Sequence, residues 1–221
     1  MLRAVLDLLL PPSCAGCGEP GAPCCRRCRG EFAFPAPVAC GLPAGVEAYA
    51  LAGYGGAARQ LVLAYKERGR RDLAPVLGDM LAAAFMSTLL PESPRGSVCW
   101  LVPAPSRRAA SRARGGPHML RLARHCAARI AGHGYQARVA SALRLTAGAH
   151  DAVGLDQARR AENLAGRVLP VPAGLPAAGT PVVLLDDVIT TGATVNACAE
   201  VLRDAGVTVR AVLALTSPRV S

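Results

Sequence analysis

The protein is a chain of 221 residues, of which 52% are hydrophobic and 18% charged, and its formal net charge is +10. This composition is typical of a globular protein, and no apolar run approaches the roughly 20 residues that a membrane-spanning helix needs. We therefore expect no membrane insertion. The first ten residues include Asp7 and form too short an apolar segment for a secretory signal, so a cytoplasmic location is expected.

The positive charge is concentrated in one part of the sequence. Residues 93–150 contain 10 of the 25 Lys and Arg residues and none of the 15 Asp and Glu residues, which leaves 15 basic and 15 acidic residues elsewhere. Such a block is expected to face a polyanion, either a pyrophosphate at close range or a nucleic acid over a wider surface.

Two C-x-x-C pairs, separated by seven residues, lie near the start of the chain. The four cysteines are Cys14, Cys17, Cys25 and Cys28. Two such pairs can bring four thiolates together around a tetrahedral zinc ion, so the spacing predicts a structural zinc site. Cys24 directly precedes Cys25, which leaves two candidates for the third ligand. Disulfides are the rival interpretation, and the lack of an export signal disfavours them.

The rest of the chain alternates between short apolar runs and amphipathic segments with helical spacing. The predicted strands are 46–51, 98–102, 139–143, 182–185 and 207–215, and the predicted helices are 58–66, 73–89, 117–130 and 195–205. The last strand–helix–strand unit is expected to cross over right-handed in a parallel sheet. This pattern predicts an α/β fold, with an N-terminal helix and the small double C-x-x-C module over residues 1–44 and a larger domain over residues 45–221.

The strand predicted at 182–185 is the feature around which the chain is organised. Its four consecutive apolar residues are typical of a strand buried on both faces, and Asp186 and Asp187 follow it directly, where open α/β sheets bind ligands. Hydroxyl and backbone N–H groups come next, at the start of a helix: Thr190, Thr191, Gly192, Ala193 and Thr194. The combination predicts a ribose-phosphate pocket, with the acids on the sugar hydroxyls and the loop on the 5′-phosphate.

The segment from Asp186 to Thr194 resembles the phosphoribosyl pyrophosphate (PRPP) signature of type I phosphoribosyltransferases. Together with the cysteine pairs, it makes the whole chain similar to the ComF/GntX family of phosphoribosyltransferase-like proteins. The resemblance implies a type I phosphoribosyltransferase fold, a parallel sheet flanked by helices, with a small zinc-ribbon-like module at the N-terminus. Family members often carry a further C-x-x-C pair, of which Cys40 alone is present here.

The resemblance also implies roles for single residues. Asp186 and Asp187 would contact the ribose and the Mg²⁺ of bound PRPP, and the Thr-rich loop would bind its 5′-phosphate. The residues that would contact the pyrophosphate are Arg107, Arg108, Arg112, Arg114, Gly115 and Lys66. For Lys66, a solvated cation at a helix end is an equal alternative. A hood over the site would include Arg160 and Asn163.

The chain departs from the family pattern beside the arginine loop. Family members continue R-G-F-N-Q, whereas this chain reads Arg114-Gly115-Gly116-Pro117-His118, so roles of the Phe, Asn and Gln side chains do not carry over. In the hood segment, Ala152 stands where Gln is usual, and His150 is interpreted either as a general base or as a solvated side chain.

Two functional interpretations follow, both with structural zinc and with Mg²⁺ bound to PRPP. In the first, the pocket binds PRPP or a nucleotide-like ligand without turnover. The resemblance to ComF then implies a role in DNA uptake during competence, with single-stranded DNA and a helicase-like protein as partners. In the second, the protein is a phosphoribosyltransferase that moves ribose 5-phosphate from PRPP to an unidentified nitrogenous base.

Overall fold

The structure is a computed structural model that describes residues 12–90, 97–106, 116–146 and 167–220. The strands within these ranges are β1 (Ala36–Pro37), β2 (Glu47–Gly53), β3 (Cys99–Pro103), β4 (Ala137–Val139), β5 (Leu143–Leu145), β6 (Val168–Pro170), β7 (Pro181–Val188) and β8 (Thr208–Ser217). The α helices are α1 (Arg26–Gly30), α2 (Gly56–Lys66), α3 (Ala74–Thr88), α4 (His118–Gly132) and α5 (Ala193–Asp204). Short 3₁₀ turns lie at Arg71–Leu73 and Pro172–Gly174.

The main sheet of the described residues has six strands in the order β1-β2-β8-β7-β3-β4. All neighbouring pairs are parallel except β1–β2, in which the edge strand β1 runs antiparallel. Strands β5 and β6 form a separate antiparallel pair. This mostly parallel sheet flanked by helices confirms the predicted α/β class.

Side chains of β7 alternate between two apolar layers, as the strand period of two requires. Val183 and Leu185 belong to the layer that is closed by helices α2, α3 and α4. Val182 and Leu184 belong to the opposite layer, which is closed by α5. All four are buried, so the unbroken apolar run of the sequence reflects a strand that is covered on both faces.

Strands β3 and β7 are neighbours whose connections leave in opposite directions. Helix α4, which follows β3, packs in one layer and leads outward to β4, whereas α5, which follows β7, packs in the other layer and leads to β8. The carboxyl ends of β3 and β7 therefore form a topological switch point, the place where open α/β sheets bind ligands.

Most predicted elements are confirmed within a few residues, and one is wrong. The strand predicted at 139–143 is divided in the structure between β4 in the main sheet and β5 in the small one. The division occurs because Ala140 still donates its N–H to the Leu101 carbonyl beside β4 (2.9 Å), whereas the Ala142 carbonyl already accepts from Val171 near β6 (2.7 Å). Strands β1 and β6 are too short to produce an apolar pattern and were not predicted.

The cysteine-rich segment is joined to the main sheet by backbone hydrogen bonds. Strand β1, which follows the cysteines, pairs with β2 in the register Ala36 to Ala50. The boundary predicted between residues 44 and 45 remains a prediction, and the predicted N-terminal helix lies outside the described residues. Among the helices of the described residues, none is long and apolar enough to span a membrane.

Candidate functional site

The two acids at the end of β7 are buried and point to opposite sides of the sheet. Asp186 is 8% exposed and Asp187 is 4% exposed. By the alternation of the strand, Asp187 lies on the side of α2 and α4, and Asp186 lies on the side of α5. The Asp186 carboxylate accepts the backbone N–H of Asp187 at 2.8 Å. The carboxylates of two neighbouring residues therefore lie in different chemical environments.

The Asp187 carboxylate is bound through both of its oxygens. Lys66, the last residue of α2, donates from Nζ to Oδ1 at 2.9 Å. His118, the first residue of α4, contacts Oδ2 through Nε2 at 2.7 Å. Since an ionised carboxylate only accepts hydrogen bonds, the His118 Nε2 is the donor. Two helices that follow two different strands, β2 and β3, therefore converge on a carboxylate of a third strand, β7.

The His118 ring is held on its other side as well. Its Nδ1 lies 3.0 Å from the Ser106 hydroxyl, which stands just beyond the carboxyl end of β3. In a neutral ring protonated at Nε2, the Nδ1 accepts from this hydroxyl. Tyr65 donates its hydroxyl to the His118 backbone carbonyl at 2.7 Å. His118 is 5% exposed, so this polar network lies inside the protein.

The surroundings move the pKa values of the two acids apart. For Asp187, burial favours the neutral form, but the His118 hydrogen bond and the Lys66 charge outweigh burial and lower its pKa to about 2. For Asp186, burial and the neighbouring Asp187 charge raise the pKa to about 7, and the Lys66 charge only partly compensates. Asp187 is therefore a permanent anion near neutral pH, and Asp186 titrates there.

The Thr-rich segment forms a turn between β7 and α5, as predicted. Gly192 has φ 88°, in the left-handed region that favours glycine, and α5 begins directly after it. Thr191 accepts the backbone N–H of Ala193 through its hydroxyl at 3.2 Å. Thr190 is exposed, and Thr191, Ala193 and Thr194 are partly exposed.

Cys40 packs against this turn from the N-terminal part of the chain. A Cβ atom added to Gly192 would lie 2.2 Å from the Cys40 carbonyl oxygen, so only glycine allows the two segments to approach this closely. Cys40 itself is buried. Arg219 donates to the neighbouring Ala39 carbonyl and holds this segment from the carboxyl end of the chain. Cys40 thus has a packing role that its sequence context did not indicate.

Some of the predicted site residues come together and others lie outside the described residues. Asp186, Asp187 and Lys66 meet with the start of the Thr190–Thr194 turn at the carboxyl edge of the sheet. The Lys66 side chain is partly exposed at the end of its helix, but its ammonium group pairs with Asp187 and is not simply solvated. Predicted residues outside the described ranges are Arg107, Arg108, Arg112, Arg114, Gly115, His150, Ala152, Arg160 and Asn163.

A second candidate site is formed by the four cysteines of the C-x-x-C pairs. The Sγ atoms of Cys14, Cys17, Cys25 and Cys28 all lie within 4.8 Å of one another. Cys17 and Cys25 have their Sγ atoms 3.7 Å apart. This separation matches the edge of a tetrahedron with Zn–S bonds of about 2.3 Å, which is about 3.8 Å long. The 3.7 Å separation is far longer than the S–S bond of a disulfide. All nine cysteines of the chain lie in the described ranges, and all are free thiols.

The structure distinguishes the two candidates for the third ligand. Cys25 belongs to the cluster, whereas Cys24 directs its Sγ to the Cys25 carbonyl oxygen at 3.8 Å. The Cys24 Sγ therefore lies outside the group of four. Cys14, Cys17, Cys25 and Cys28 together could bind a structural metal such as zinc.

The sequence motifs do not identify His118 and Ser106 as site residues. In the sequence, His118 is only a departure from the family pattern, whereas its ring lies 2.7 Å from Asp187 in the structure. A histidine directly after Pro117, at the first position of a helix that follows a strand, was the available signal, since such positions face the carboxyl edge of the sheet. Ser106 gave no signal of its own.

Comparisons with known proteins assign no family to the chain. A scan against protein-family models gave no match, and a search of curated proteins gave none either. The functional assignment therefore depends on the geometry of the site and on the resemblance of its motif.

Proposed function

We propose that the crevice at the carboxyl ends of β3 and β7 binds PRPP, or a nucleotide-like ligand, together with Mg²⁺. One observation carries the proposal. Two buried acids end a central strand at the topological switch point and are followed at once by a hydroxyl-rich turn and the first residue of a twelve-residue helix. A sugar phosphate needs this sequence of groups: acceptors for its hydroxyls and donors for its phosphate.

The chemistry of the site residues matches the parts of PRPP. Asp186 and Asp187 offer carboxylate oxygens to the ribose hydroxyls, and carboxylates are also ligands that Mg²⁺ accepts. Thr190, Thr191 and the N-terminus of α5 offer hydroxyl and N–H groups to the 5′-phosphate. Lys66 offers a positive charge at the same edge, which suits the pyrophosphate. Bound Mg²⁺ neutralises charge on the diphosphate and orients it.

We also propose that the fold is that of type I phosphoribosyltransferases and that the protein is ComF-like. The switch-point acids, the small antiparallel pair β5–β6 and the cysteine cluster support this combination. In that role the protein would handle single-stranded DNA, beside a helicase-like partner. The exposed Arg124, Arg138 and Arg144 lie in the basic block and supply charge for a phosphate backbone.

Catalytic phosphoribosyl transfer is the second candidate, favoured by the separation of the pKa values of Asp186 and Asp187. Neighbouring acids with separated pKa values are characteristic of acid–base sites. A nitrogen of the base would bond to C1 of the ribose, the bond from C1 to the pyrophosphate oxygen would break, and pyrophosphate would leave. The proton lost by the nitrogen could pass to ionised Asp186 or to water.

Binding of PRPP with Mg²⁺, measured by isothermal titration calorimetry, tests the primary proposal. Asp187→Asn keeps the shape of the side chain but removes its charge, so we expect at least about tenfold weaker binding. Asp204→Asn is the matched control, because Asp204 lies exposed at the end of α5. Equal affinity of Asp187→Asn and the wild-type protein would refute the pocket assignment.

Two further measurements separate the candidate functions. Pyrophosphate release from PRPP against a panel of nitrogenous bases tests catalysis, and release above the no-base control is expected only of a transferase. Single-stranded DNA binding that falls steeply with salt is expected of the ComF-like role. A flat salt response, or no binding at low salt, would contradict the assignment of the basic block to DNA.

A further inference from the structure

We propose that His118 is a positioning residue that fixes Asp187 through Oδ2 and so directs Oδ1 toward the open side of the crevice. The inference deepens the proposed function and rests on it, because it concerns the orientation of the carboxylate that would contact the ribose. It also assigns a role at the position where the family resemblance implies a Gln and this chain has a His.

The two partners of the Asp187 carboxylate differ in exposure. The His118 side chain, on Oδ2, is 6% exposed, and so is that of Asp187 itself. The Lys66 side chain, on Oδ1, is 36% exposed. Oδ2 therefore contacts a buried group and Oδ1 a partly exposed one, so a ligand is expected to approach at Oδ1. An incoming hydroxyl or Mg²⁺ would be bound at Oδ1, beside or in place of the Lys66 ammonium.

His118 is itself fixed from several directions. The Ser106 hydroxyl contacts its Nδ1 at 3.0 Å, and the Tyr65 hydroxyl donates to its backbone carbonyl at 2.7 Å. The Tyr65 and His118 rings also pack edge to face, with centroids 5.9 Å apart. The rotation of the imidazole is thus defined by groups at the end of β3 and on α2. A side chain held in this way can hold another, which is the requirement for a positioning residue.

The hydrogen-bond donor and acceptor of the His118 ring determine which substitutions can test its role. His118 donates at one end and, in the neutral tautomer, accepts at the other. A Gln side chain also has a donor NH₂ and an acceptor oxygen at its tip, whereas Leu has neither. His118→Gln is therefore expected to keep both contacts, and His118→Leu is expected to lose both while filling a similar volume.

The experiment measures the affinity for PRPP with Mg²⁺ by calorimetry in the two His118 variants and in a matched pair at His133. His133 lies exposed at the other end of α4, so His133→Gln and His133→Leu test the same changes away from the site. We expect about tenfold weaker binding in His118→Leu and no more than about threefold weaker binding in His118→Gln. Wild-type affinity in folded His118→Leu, or equal losses in both His118 variants, would overturn the proposal.

Nitrogen-15 NMR of the histidine rings in the ligand-free protein provides a readout that does not depend on PRPP. A His118 ring with its proton fixed on Nε2, and with a signal that changes in Asp187→Asn, supports the positioning role. A ring that exchanges between tautomers overturns it. If the wild-type protein does not bind PRPP, the proposed function fails, and the NMR result still decides the role of His118.

Discussion

The cysteine cluster and the acid crevice are assembled in opposite ways. The four cysteines fall between residues 14 and 28, and short turns bring them together. The crevice takes Lys66 from 121 positions before Asp187 and His118 from 69 positions before it. The cluster can be read from local spacing, whereas the crevice exists only after the sheet has formed. Loss of a bound metal is therefore expected to disrupt the structure near the cysteines, whereas the crevice as a whole is expected to be lost only when the sheet unfolds.

The largest expected effect is on the cysteine cluster. Burial, and after it the neighbouring thiols, raise the pKa of Cys28, and a bound dication would offset this penalty. We expect about one zinc per chain by mass spectrometry. Removal of the metal is expected to lower the stability of the cysteine-rich module by several kcal/mol and to unfold it. Rapid proteolysis near the cysteines would report this unfolding.

Substitution of single cysteines identifies the ligands. Cys14→Ser is expected to lose the metal and Cys24→Ser to retain it, although the two residues belong to the same segment. A protein that is fully folded and free of metal would contradict the metal assignment, and metal loss in Cys24→Ser would contradict the choice of Cys25 as the third ligand.

How far the sequence predicts each region follows from this contrast. The C-x-x-C spacing predicted all four clustered cysteines but could not distinguish Cys24 from Cys25, because that choice depends on which of the two thiols faces the other three. The apolar run before Asp186 predicted a strand buried on both faces, and the structure confirms this strand. The contact of His118 with Asp187 could not be predicted from local patterns, since the two residues are brought together by the pairing of β3 with β7.

The pH dependence of stability distinguishes the two acids within the crevice. Because the pKa of Asp186 is raised from 3.8 to about 7, the folded state keeps a proton that the unfolded state releases, and stability falls as the pH rises through this window. For Asp187, whose pKa is lowered to about 2, stability is present above 3.8 and is lost as the pH falls toward 2.

Asp186→Asn is therefore expected to flatten the stability profile between pH 4 and 7 and to stabilise the protein at pH 8 by on the order of 4 kcal/mol. Denaturant unfolding across this pH range is the measurement. The exposed Asp204→Asn is the control and should leave the shape of the profile unchanged. Parallel profiles for wild type and Asp186→Asn would show that Asp186 titrates normally.

Substitution of Gly192 tests the close contact between the Cys40 segment and the turn that follows β7. Gly134 is a matched control, because its φ of 87° equals that of Gly192 within a degree, and a Cβ there would meet nothing within 4 Å. Gly134→Ala should cost only the backbone strain, about 1 kcal/mol. Gly192→Ala should cost roughly 2 kcal/mol more, because its Cβ would collide with the Cys40 carbonyl. Equal losses of stability would mean that Cys40 moves aside freely.

The smallest expected effect concerns Glu31, which joins the two regions through α2. Gly55 precedes this helix and has no side chain to cap it, and Glu31 instead accepts the N–H of Ala58 at 3.0 Å from the cysteine-rich segment. Glu31→Ala is expected to cost about 1 kcal/mol and Glu31→Gln less, because Gln still accepts the hydrogen bond but lacks the charge that favours a helix N-terminus.

Comparison of Glu31→Ala with and without metal measures the coupling between the two regions. If the folded module holds Glu31 in place, removal of the metal already breaks the contact with Ala58, so the two losses of stability are less than additive. Lys66 lies at the other end of the same helix, so affinity for PRPP in the metal-free protein reports whether the effect reaches Asp187. Full additivity, with unchanged affinity, would mean that the metal centre and the crevice are energetically independent.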